Sequence, residues 1–198
     1  VQGQISCLHD YTLTVNDMKA IEAADVIVMN GVGLEDFMSD ALSQSAASVI
    51  DCAQGLELLP YEGHGEHDHG AGEEEGEHYD PHIWMAPGNA ERMLQTIAEA
   101  LAVVDPSHLD PYRSNSGTAV KEIQSGIQPD GDALAALPGL ITFHDGFQYF
   151  AQAFGLELLK AIEEEEGSEA SAAEIREIVS LVEEHHIPAI FTEKNGSD

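Results

Sequence analysis

The sequence predicts an α/β fold in which parallel sheets are flanked by helices. Two observations carry this. Helical and strand patterns alternate over 14–51, then again over 139–192, and the stretch between them is helical. Helix–strand alternation at these lengths is the pattern of a parallel sheet with crossover helices.

The elements follow in order. Thr14-Val15-Asn16-Asp17 is a helix N-cap with an acid three residues on, and Met18, Ile21 and Ala24 repeat at helical spacing. Asp25–Asn30 is an apolar run of strand length closed by Asn30-Gly31. Leu34–Leu42 reads as a short helix and Ala47–Asp51 as a second strand. Asn89–Val103 is an amphipathic helix with Met93, Ile97, Leu101 and Val104 on one stripe, and Asp105-Pro106 ends it. A further helix runs from Pro111, placed in its first turn, to Ile127. Residues 128–132 read as a turn. Gly139–Phe143 is a buried strand ended by His144 and Asp145; Gly146–Phe154 is helix and Leu156–Leu159 strand. The acidic run at 163–167 reads as a solvated loop. Ser171-Ala172-Ala173-Glu174 is a capping box opening a helix to about His185, and Pro188–Thr192 is a last strand.

Composition narrows the partners. The chain has 198 residues, 37 acidic against 7 basic, for a net charge of −30. Nucleic acid and anionic lipid would be repelled, whereas cations or a basic protein face would be attracted. No run approaches the ~18 apolar residues of a membrane span. Cys7 and Cys52 allow at most one disulfide, which is no scaffold.

Residues 62–80 hold eight carboxylates, four histidines and five glycines in nineteen positions. Such a loop builds no packed core, and its simplest chemistry is to bind a transition metal. His64, His67, His69, His78 and Glu77 are its auxiliary donors. Taken alone, a histidine such as His9 reads as a structural residue, and His185, His186 and likewise His108 as surface residues at a helix end.

Several segments share a family pattern: Leu8-His9-Asp10-Tyr11 with Thr14–Asp17, Asn30-Gly31-Val32-Gly33-Leu34-Glu35, Asp80-Pro81-His82-Ile83-Trp84-Met85, and Phe143-His144-Asp145-Gly146-Phe147. Together they resemble the metal-binding substrate-binding proteins of bacterial ABC importers, the zinc-uptake branch in particular. The resemblance implies two α/β lobes joined by a long bridging helix, with the metal between them. The implied division is an N-terminal lobe at 1–105 carrying the His/acid-rich loop 62–79, a bridging helix at 106–127, and an incomplete C-terminal lobe at 128–198. It implies His9, His82 and His144 as primary ligands. Asp10 and Asp145 follow two of them as candidate outer acceptors, Asp145 reading better as a helix cap.

The implied function is an extracytoplasmic, high-affinity zinc-binding protein, periplasmic or on the cell surface, lipid-anchored in the full-length form. It would hand Zn2+ to a membrane permease and act as a monomer without catalysis. Three imidazoles suit zinc; manganese members resemble this chain but carry an acid where His144 stands, and manganese is the harder ion. The alternatives are a manganese- or iron-binding member, a surface adhesin of the same family, and a zinc-dependent hydrolase, for which no signature such as HExxH is present. The family pattern also carries a strand and helix before Val1 and a further strand with an aspartate ligand beyond Asp198. The chain therefore reads as a fragment lacking both ends, with the fourth ligand open: water, His78 or Glu77, or a group outside this chain.

Overall fold

A computed structural model describes residues 11–61, 78–163 and 171–191. The chain divides into two units. One is Val1–Glu57 with Pro87–Gln128, and the other is Leu58–Ala86 with Pro129–Asp198.

In the first unit, α1 (Val15–Ala23) starts at the Thr14 capping box, with the Asp17 carboxylate reaching back to the Thr14 N–H at 2.8 Å. It leads into β1 (Val26–Met29). The segment read as one helix from Leu34 is a 3-10 turn, Asp36–Met38, followed by α2 (Ser39–Gln44). The interruption follows the positive φ angles at Gly31, Val32 and Gly33, which turn the chain sharply after β1. The Glu35 carboxylate braces that turn, accepting from the Asn30 N–H at 2.7 Å and the Gly31 N–H at 3.0 Å. A Cβ on Gly31 would lie 2.2 Å from Asp51 Oδ1, so only glycine fits. The next strand, β2 (Ser48–Asp51), pairs parallel with β1, Val26 opposite Ser48 through Met29 opposite Asp51.

Two long helices complete this unit, α3 (Pro87–Val104) and α4 (Leu109–Gly126), separated by a 3-10 turn at Pro106–His108. They pack along each other, and α3 also rests on β2. Ala98 and Ala102 are the buried residues of α3, small enough for close helix approach. Polar ties cross the pair: Arg113 donates twice to the Glu99 carboxylate, and Ser116 Oγ to the Leu94 carbonyl. Cys52 is a free, buried thiol, its pKa raised first by burial and then by the nearby Asp51 and Glu35 charges. Cys7 lies outside the described residues.

The second unit is built on β3 (Leu140–His144), which pairs parallel with β4 (Leu158–Glu163) through a register shift after Leu140. On its other side β3 bridges Phe191, also parallel. Around it stand α5 (Gly131–Ala135), α6 (Gln148–Phe154) and α7 (Ala172–His185). Ile141, Ile178 and Ile187 form the core, with Leu159, Ile162, Leu181 and Val182 packed on it.

Three expectations change here. The turn at 128–132 opens α5, because the Asp130 carboxylate accepts from the Asp132 and Ala133 N–H groups as an N-cap. The strand expected at 156–159 starts at Leu158 and runs to Glu163, since pairing with β3 as far as His144 carries it into the acidic run. Of the strand expected at 188–192, the described part makes only the Phe191 bridge.

The α/β class with parallel strands holds in both units. Residues 58–86 group with the second unit, and α4 groups with α3 in the first. The reason is local. The Leu59 N–H donates to the Tyr149 hydroxyl on α6 at 3.0 Å, and the Asp80 N–H donates to the Leu59 carbonyl at 3.0 Å. Tyr149 is 1% exposed, so this anchor is in the interior.

Candidate metal centre

Two histidines 62 positions apart meet in the second unit. His144 is the last residue of β3, the carboxyl end of a parallel strand, where α/β sheets place their binding groups. His82 enters from the stretch tied to α6. Its neighbour Ile83 is fully buried and begins the 3-10 turn Ile83–Met85, which packs on α6. The packing brings the imidazoles edge to face at 77°, with Nε2 to Nε2 at 3.0 Å.

Asp80 orients the first ring. It is 1% exposed, and one carboxylate oxygen accepts both the His82 backbone N–H at 2.8 Å and the Nδ1–H at 2.7 Å. The backbone bond is the Asx turn expected where Asp precedes a proline turn. A carboxylate only accepts, so the hydrogen of His82 sits on Nδ1 and its Nε2 presents a lone pair toward His144. A carboxylate behind an imidazole is the arrangement that holds metal-ligating histidines in place.

Gly146 closes the site from behind. A Cβ there would lie 2.8 Å from His82 Cδ2 and 2.9 Å from His144 Cδ2. Trp84 flanks His82 with ring centroids 5.3 Å apart.

The stem of the acidic loop leads directly into this site. Pro60 and Tyr79 form an antiparallel bridge, and the Tyr61 N–H donates to the His78 carbonyl at 2.9 Å. His78 itself is exposed. His9, His64, His67, His69, Glu77 and Asp10 lie outside the described residues. Among the described residues no group of three metal-binding side chains occurs. Asp145 is not the cap of α6; the N-cap position is Phe147 and makes no side-chain hydrogen bond. The residues that sequence reasoning left without a role are Asp80 and Gly146. The Asp80-Pro81 turn signal was present for the first; nothing in the sequence announces the second, because its neighbours arrive through folding.

The donor set suits a divalent cation that prefers nitrogen. Two imidazole nitrogens converge, one with its tautomer already set by a buried carboxylate.

Comparison with known proteins shows a metal-binding family. The model of the ZnuA family, zinc-uptake complex component A, periplasmic, matches residues 2–198. A Treponema pallidum relative is 30% identical over 96% of this chain and 62% of its own length. The zinc-binding lipoprotein AdcA of Streptococcus pneumoniae is 28% identical over 96% of this chain and 39% of its own. The chain thus spans less than two thirds of these relatives. A crystal structure of ZnuA superimposes with a TM-score of 0.80 at 32% identity, covering 97% of this chain and 72% of that one. Other relatives carry other metals by name: the manganese-binding lipoprotein MntA of Halalkalibacterium halodurans at 24% identity and the iron-binding protein YfeA of Yersinia pestis at 26%. These relatives are metal-binding proteins rather than enzymes.

Proposed function

Because the chain belongs to the ZnuA family of periplasmic zinc-uptake components, we propose that it is an extracytoplasmic protein that captures Zn2+ and hands it to the permease of an ABC importer. The observation that carries this is the His82–His144 pair with Asp80 behind it. Two imidazoles converge, joined by no carboxylate among the described residues, and this favours zinc over manganese, whose harder character calls for oxygen. His9 is the third imidazole of the proposed set. His64, His67, His69, His78 and Glu77 are auxiliary donors that raise the local concentration of the ion.

Among the described residues no helix is long and apolar enough to cross a membrane. The charge of −30 favours a basic docking face on the permease.

The manganese and iron relatives supply the second reading, the same role with a different ion. Competitive titration of zinc and manganese, with His9, His82 and His144 each changed to alanine, separates the two. The expected outcome is zinc preferred by at least tenfold, about 1.4 kcal/mol, and tight binding lost in His82→Ala and His144→Ala. Equal affinity for both ions would overturn the zinc assignment, and a fully active His144→Ala the site.

A further inference from the structure

The segments that carry His82 and His144 are tied together away from the imidazoles, and Tyr149 makes the tie. It stands on α6, five positions after His144, and is 1% exposed. Its hydroxyl accepts the Leu59 N–H at 3.0 Å, across 90 positions of sequence. The Leu59 carbonyl accepts the Asp80 N–H at 3.0 Å. The Asp80 carboxylate accepts the His82 backbone N–H at 2.8 Å and lies 2.7 Å from the ring Nδ1. A chain of polar contacts thus runs from α6 to the imidazole.

Packing accounts for the ring of Tyr149 but not for its oxygen. Phenylalanine would fill the same interior volume, and a buried tyrosine hydroxyl is tolerated where it finds a partner. Here that partner is the backbone next to Asp80. Asp80 can aim its carboxylate only while its own backbone is held, and Leu59 holds it from one side. On the other side of His82 the buried Ile83 and its 3-10 turn pack on the same helix, α6. One helix therefore braces the His82 segment both before and after the ligand.

We infer that Tyr149 is a positioning residue for the cargo ion: its hydroxyl fixes Leu59, Leu59 fixes Asp80, and Asp80 aims His82. This rests on His82 being a ligand.

The test uses the full chain with Tyr149→Phe, which removes one oxygen and keeps the ring. Zinc affinity, read by chelator competition on the folded protein, should fall about two- to tenfold, the worth of one hydrogen bond. The fall should be absent when Tyr149→Phe is added to Asp80→Ala, because the path to His82 is already cut. A purely structural tyrosine would lower the urea midpoint in both backgrounds and leave zinc affinity unchanged, which overturns the inference. An equal fall in zinc affinity in both backgrounds overturns it as well.

An independent readout needs no variant. Coupling between two sites is reciprocal, so zinc added to the wild type should slow hydrogen exchange at the Leu59 N–H by the same two- to tenfold. The reference is the Leu140 N–H, bonded to the Glu157 carbonyl at the far end of β3. Equal slowing at both amides, or none at Leu59, overturns the inference; if Tyr149→Phe does not fold, this measurement decides. Wild-type zinc affinity in His82→Ala would overturn the ligand reading and this inference with it. An inert Tyr149→Phe beside a zinc-dead His82→Ala overturns the inference only.

Discussion

Asp80 holds the His82 ring by backbone and side chain through a single oxygen. Removing it leaves the imidazole free to rotate and to exchange tautomers. Asp80→Ala should therefore weaken zinc binding about 10- to 100-fold, measured by chelator competition, and wild-type affinity in this variant would remove Asp80 from the site. Asp17 shows the same physics at the surface. The Tyr11 hydroxyl donates to it at 2.6 Å, and the Thr14 hydroxyl and N–H at 2.7 and 2.8 Å, which together hold its pKa down to about 2 from 3.8. A group lowered on folding contributes stability that is full above its unfolded value and lost as pH falls through the folded one. The start of α1 should stay capped at pH 4 and fray only toward pH 2. An NMR titration of the Asp17 carboxyl checks this: a midpoint near 2 is expected, rising in Tyr11→Phe, and a midpoint at 3.8 in the wild type would refute it.

The elements differ in how far local sequence decides them. The capping boxes at Thr14 and Ser171 start α1 and α7 where the sequence places them, because every partner lies within three residues. β4 runs past its apolar pattern because its length is set by β3 alongside it. The stem at Pro60 and Tyr79 is a similar long-range element, joining the two ends of the acidic loop. Since the ends are already held together, residues 62–77 can be replaced by a short glycine linker without moving His82. The deletion should leave the tight zinc site within about twofold of wild type and remove only weaker, additional binding equivalents. Isothermal titration separates the classes, and loss of the tight class would make the loop a primary site.

Across the whole molecule, 37 acids against 7 bases make charge the dominant long-range term. Like charges repel in the compact state, and the repulsion falls as the Debye length shrinks from ~30 Å at 0.01 M to ~8 Å at 0.15 M salt. Stability without metal should rise over that range, seen as a higher urea midpoint at constant slope; a flat or falling midpoint would mean that self-repulsion is not limiting. The division into units shows where composition and local pattern stop being informative. Apolar periodicity located both sheets and both long helices, but it could not assign residues 58–86, which follow Tyr149 and the Leu59–Asp80 hydrogen bond into the second unit. By itself the sequence determined the α/β class and the starts of α1 and α7, because periodicity and capping are written in neighbouring residues, and the resemblance of its motifs to a known family named His82 and His144 as candidates. Only the tertiary structure decided that these two nitrogens lie 3.0 Å apart, that Asp80 orients one of them, and that Gly146 leaves them room. Those facts depend on distances between residues up to 64 positions apart, and packing alone sets such distances.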